Sequence, residues 1–149
     1  GTHGIQALDL LGRKVVMEGG KGLTLLAARI NATIERAIQQ PALAEHANAL
    51  GQALQRVGAA TRAAWSAGDP AQALANAVPY MQAFGHLVIA WIWLDVLATT
   101  PPAADTPSLE GRRRAARYFF HYELPKISAW LKVVETRDLT CAGMPEDAF

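Results

Sequence analysis

The chain has 149 residues, enough for one domain with a sizeable core, and its 51% hydrophobic content excludes disorder as the overall state. Its 14 basic and 13 acidic residues nearly cancel, so no global charge argues for nucleic acid or an anionic membrane as a partner. The single cysteine, Cys141, excludes an intramolecular disulfide and any cysteine-rich metal site, and it fits a reducing cytoplasm.

No stretch alternates with period two for long enough to make a strand, and helical periodicity covers nearly everything in five segments. The first, about Ile5 to Met17, places Ile5, Leu8, Leu11 or Leu10, and Val15 on one face and stops at Gly19-Gly20. Gly1-Thr2-His3-Gly4 in front of it is too glycine-rich for a helix interior. It reads as backbone that approaches something closely before the helix starts. No charged stretch followed by an apolar run marks a signal peptide there.

The second segment, about Lys21 to Gln39, aligns Leu23, Leu26, Ala27, Ile30, Ile34, Ala37 and Ile38, and Pro41 ends it. The third, about Leu43 to Ser66, carries Leu43, Ala47, Leu50, Leu54, Val57 and Ala64 with Trp65. After Gly68, Asp69 as N-cap and Pro70 at the first helical position open the fourth. That segment, to about Ala98, is the most apolar and is expected at the centre, kinked at Pro79. Its apolar run 83–98 is interrupted by His86 and Asp95 and falls short of the ~20 residues that span a bilayer, so it reads as a buried helix, with no membrane partner.

Residues 99–108 are Pro-rich, small and polar, a loop. Ser108 then starts a fifth segment that runs to about Arg137 and turns Ala116, Phe119 or Phe120, Leu124, Ile127, Leu131 and Val134 inward, with Pro125 as its irregularity. The last dozen residues read as a surface tail. Long helices with short connections and one apolar stripe each predict an all-α fold: an antiparallel up-and-down four-helix bundle over 19–137, an extra N-terminal helix within 1–18, and a tail over 138–149.

Candidate sites are sparse. His86, with Tyr80 and Asp95 at roughly helical distances, suits an acid/base or ligand role, yet a histidine bonded to a neighbouring helix explains it as simply. His121 and Glu123 are two apart and point in different directions, and no Glu-x-x-His pair exists for a di-iron bundle, so no metal is expected. The cluster Gly111–Arg117 belongs to a stretch, 108–137, with seven Lys/Arg against three Asp/Glu. It could meet phosphates, but a solvated face or interface edge is the ordinary reading, and no nucleic acid is expected. Trp91 and Trp93 cannot share one face, so one is expected inside and the other at an interface. "GGKG" (Gly19–Gly22) lacks the strand before and the hydroxyl after the lysine that a phosphate loop needs, and reads as a helix break. Cys141 has no base near it in sequence. Nothing inside the bundle amounts to a catalytic constellation.

The opening "GTHGIQALDLLGRKV" resembles the junction that follows the catalytic glutamate in a branch of the acyl-CoA dehydrogenases, which reads Tyr-Glu-Gly-Thr-x-Gly-Ile-Gln. "NAVPYMQAFGHLVIAWIWL" and "RRAARYFFHYELPKISAWL" are similar to phrases of the extra C-terminal helical domain in the long members, the 3-methylmercaptopropionyl-CoA dehydrogenase branch. The first motif is fairly specific and the helical phrases are looser. The resemblance spans essentially the whole chain. It implies a parent enzyme that holds FAD and oxidises an acyl-CoA thioester to its 2,3-enoyl product, a carboxylate taking the α-proton while the flavin accepts hydride. It implies that the carboxylate base precedes Gly1, that Thr2 and Gly4 touch the flavin dinucleotide, and that the chain contributes no catalytic residue. The parent is then expected to be a cytoplasmic homo-oligomer, with this chain structural and holding no FAD alone, residues 1–4 being disordered or misplaced without the flavin-binding body. The other reading is a freestanding helical interaction module whose basic fifth helix meets an acidic partner. A weaker third is a small bundle enzyme using His86 or His121.

Overall fold

A computed structural model describes residues 1–101 and 106–148, and among these the chain is helical throughout, with no strand. The helices are α1 (Thr2–Asp9), α2 (Lys21–Ala37), α3 (Ala44–Trp65), α4 (Pro70–Leu74), α5 (Ala77–Thr99), α6 (Pro107–Tyr118) and α7 (Ile127–Glu135). Two π-helical turns extend them: Leu10–Lys14 continues α1, and Phe119–Glu123 continues α6 toward α7.

The first helix begins at Thr2, ahead of the expected Ile5, because the first turn needs no intrahelical N–H partner and so tolerates His3-Gly4. It turns inward Ala7, Leu11 and Val15, leaving Ile5 and Leu8, expected on the buried face, 69% and 48% exposed. Ile5 stands two residues from Ala7, about 200° around a 3.6-residue turn, so the two take opposite sides of α1; in the π turn that follows, Gly12 lets Leu74 of α4 approach to 3.3 Å of where a Cβ would stand. The break before α2 is made by three successive left-handed residues, Glu18, Gly19 and Gly20 (φ 52, 67 and 84), so "GGKG" is a helix break, as expected.

The expected long fourth helix is two. It breaks at Asn76 (φ −121, ψ 40), upstream of Pro79, which instead occupies the first turn of α5, where a missing N–H leaves no bond unmade. The sixth helix is capped by Thr106, whose hydroxyl accepts from the Leu109 N–H, with Pro107 in the first turn; Ser108, the expected start, lies inside. Of the 99–108 loop, residues 102–105 lie outside the described residues. The Pro125 irregularity is real: a π turn and a 3₁₀ turn (Leu124–Lys126) precede α7. Phe120, not Phe119, is the buried member of its pair, with Ala116, Leu124, Ile127, Leu131 and Val134 inward as expected.

The core sits between α3 and α5. On α5, Ala77, Tyr80, Ala83, Leu87, Ala90, Leu94 and Leu97 are buried at three- and four-residue steps, and on α3 small Ala47, Ala53, Ala60 and Ala64 alternate with Leu50 and Val57. Helices α2 and α7 each lie against both. Thr33, Arg36 and Gln40 bond in order to Trp91, Asp95 and Ala98, so α2 and α5 run the same way. His86–Glu123 and Asn76–Val133 pair in reverse order, so α7 runs against α5. At 23 residues α5 is long and apolar enough to cross a membrane, longer than the run 83–98 suggested; its buried stripe against α2, α3 and α7 accounts for one side of it, while Ile89 and Ile92 on the other are exposed, so the helix is not buried throughout as expected.

Candidate functional site

Thr2 and Gly4 sit in the first turn of α1, exposed and half-buried respectively, with the Gly1 carbonyl accepting from the Ile5 N–H at 3.2 Å. Nothing lies within 4 Å of where a Cβ would stand on Gly1 or Gly4, so a ligand can reach this backbone. The N–H groups of a first turn point along the axis without intrahelical acceptors, a geometry suited to an anionic group. Beside it, Gly4, Ile5 and Leu8 face the α4–α5 junction, residues 74–79, and Cys141 across an open, mainly apolar groove of about 550 Å³.

The side chains proposed from sequence as an acid/base group do not converge. Tyr80 is fully buried, 2.8 Å from the Thr61 hydroxyl, and burial pushes its phenol up to about 12. Asp95 accepts from Arg36 at 2.6 Å and from Thr33 at 3.0 Å, while Thr33 in turn accepts from the Trp91 indole at 2.9 Å. His86 lies 3.2 Å from Glu123, whose carboxyl also takes the Lys126 ammonium at 2.8 Å and is held low mainly by it. His86 is therefore the helix-bonded histidine of the simpler reading. His121 turns away to Glu45 at 3.3 Å, as the two-residue spacing from Glu123 requires. No group of three His, Cys, Asp or Glu among the described residues could hold a metal.

In the basic cluster, Arg114 pairs with Glu110 at 3.1 Å and Arg113 borders a cavity of about 280 Å³ beside Gln39 and Thr100. Trp91 and Trp93 are both half-buried against the core, so neither is fully inside. Cys141 is exposed.

Sequence reasoning missed the polar ties between helix ends. The Asn76 amide donates to the carbonyls of Val133 (3.1 Å) and Asp138 (2.8 Å), closing α7 from the break before α5. Arg137, left-handed at φ 51, donates to the Ala63 carbonyl at 2.7 Å and to Ser66 at 2.9 Å, closing α3. An asparagine before a proline-bearing helix was the one visible signal. Arg56–Glu135, at 2.7 Å, links α3 to the end of α7.

A family model described as "Acetyl-CoA dehydrogenase C-terminal like" matches residues 26–145. The 3-methylmercaptopropionyl-CoA dehydrogenase of Ruegeria pomeroyi is 34% identical over 143 residues, 87% of this chain and 23% of that protein. The chain thus spans less than a quarter of the length of this relative.

Proposed function

The chain belongs to the family of acetyl-CoA dehydrogenase C-terminal-like domains, and from that premise we propose that it is the non-catalytic helical domain of an FAD-dependent enzyme that oxidises acyl-CoA to 2,3-enoyl-CoA. Its own work is structural: covering the dehydrogenase body and contributing to contacts between subunits of a cytoplasmic homo-oligomer. One observation carries this reading. The N-terminal segment, residues 2–17, buries Ala7, Leu11 and Val15 while exposing Ile5 and Leu8 beside an apolar groove, and Val16 and Met17 beyond it. A contiguous apolar surface of this kind marks an interface. Ile89 and Ile92 extend the exposed apolar surface along α5, 41% and 53% exposed.

Within this reading residues 1–18 are the end of the dehydrogenase body, and α2, α3, α5 and α6–α7 are the four members of an antiparallel up-and-down bundle. The reversal between α5 and α7 supports it, whereas α2 and α5, in contact, run parallel. The open backbone at Gly1 and Gly4 and the Thr2 hydroxyl fit a flavin dinucleotide approached through its phosphates. When bound, FAD supplies the hydride acceptor of the oxidation. Thr2 and Gly4 would hold and orient it, and the Ile5–Leu8 face would exclude water beside it.

The test compares the 149-residue chain with a longer polypeptide carrying the upstream body, by absorption spectrum and acyl-CoA oxidation. The expected result is a yellow, active long protein and a colourless, inert short one. Turnover by the short chain alone, or two colourless proteins, overturns the reading. The second outcome would leave the basic α6 as the surface to probe with acidic partners.

A further inference from the structure

Three of the chain's four histidines meet at one five-residue turn, the π-helical Phe119–Glu123. Two come from opposite sides. On α3, the His46 ring stacks flat on Phe120, centroids 4.4 Å apart at 14°. On α5, the His86 ring lies 5.4 Å from Phe119 and its Nε2 is 3.2 Å from Glu123. The third, His121, belongs to the turn itself, edge-on to His46 at 6.1 Å and paired with Glu45 of α3 at 3.3 Å. A π turn holds one residue more than an α turn and is frequent at functional sites. Pro125 behind it donates no hydrogen bond to pin it.

We propose that this turn is a proton-sensitive clasp: neutral His46 holds it against α3 and releases it on protonation, while His86 and Glu123 keep it on α5 in both states. A neutral imidazole stacks on an aromatic ring as an apolar surface, whereas an imidazolium must keep water, and Phe120 beneath it is only 4% exposed. Three groups besides burial face His46: Glu45 on its own helix, His121 on the turn and Arg117 on α6. Glu45 favours the proton but is shared with His121, while Arg117 and His121 oppose it, as does the start of α3, whose third residue is His46. Burial is the largest of these influences and holds the imidazole below its usual 6.5.

The sign follows. A histidine whose folded value is depressed favours the closed turn above 6.5, and that preference is lost as pH falls through the lower folded value. Release therefore swings Phe120 away from α3 and widens the adjoining groove, about 330 Å³, floored by Ala49, Ala53, Leu124 and Ile127. This inference stands apart from the dehydrogenase reading.

Amide hydrogen exchange over residues 116–124, corrected for intrinsic rates, tests it on the whole chain at about pH 7.5 and about pH 5.5, with an NMR titration of the His46 ring. In the wild type the corrected exchange rises on acidification, by up to about tenfold, and in His46→Phe, which stacks without binding a proton, the rise disappears. A rise that survives in His46→Phe, no rise in the wild type, or a His46 ring titrating at or above about 6.5 overturns the proposal. Should His46→Phe lose its helical circular dichroism, His46→Leu replaces it, and the wild-type ring titration alone remains decisive.

Discussion

Tyr80 shows how one side chain ties chemistry to fold. Its phenol is the largest fully buried group and donates to Thr61, whose own proton goes to the Val57 carbonyl at 2.8 Å. Burial disfavours the phenolate, so the folded value of about 12 stands above the ordinary value of 10.0. Below the ordinary value the tyrosine's full contribution is present, and it is lost as pH rises between the two values. Tyr80→Phe is expected to cost about 1 kcal/mol at neutral pH through the lost hydrogen bond. It should also flatten the alkaline fall in stability, which urea unfolding at neutral and alkaline pH measures. The tyrosine's place on the apolar helix could be read in the sequence, but its partner could not. Thr61 is a short polar residue in an alanine-rich stretch, and only the crossing of α3 with α5 makes it an acceptor.

At the scale of elements, the helices close on one another through side chains at their ends. Asn76 sits where the helical pattern breaks and spends its amide on two carbonyls at the end of α7. Asn76→Ala should destabilise by about 1–3 kcal/mol, read as a shift of the urea midpoint with unchanged slope. Gly20→Ala should cost about 1–2 kcal/mol in the same assay, since φ of 84 is a conformation that a Cβ opposes. Helix existence and the inward stripes of the third and fifth segments follow from period; in the second, Ile30 and Ala37 are buried as expected, but Ile38 lies beyond the end of α2 and is exposed, while Thr33 is buried unexpectedly. The break at Asn76 does not follow from period, because the proline that announces it is equally content in a first turn. Nor does the choice of Phe120 over Phe119, since both stand in a π turn that adds one residue to an otherwise regular count.

Over the whole molecule, α5 divides its apolar surface between a covered side and an open one. Leu87 is fully buried, and Leu87→Ala should cost about 2–5 kcal/mol in the isolated chain. Ile92, 53% exposed, should tolerate serine within about 0.5 kcal/mol there. On the reading proposed above, the same Ile92→Ser in a polypeptide that carries the upstream body weakens subunit association, measured by sedimentation. Composition and period by themselves determined an all-helical chain with an apolar central segment, because amphipathic spacing is a local property of the sequence. The helical phrases also carried the family, since motifs survive in the order of residues. What only the tertiary structure decided is which groups meet: His86 with Glu123, His46 with Phe120, Asp95 with Arg36, Asn76 and Arg137 with the ends of other helices. Each pair joins residues far apart in the chain, and their meeting depends on how helices cross and where a π turn shifts their phase.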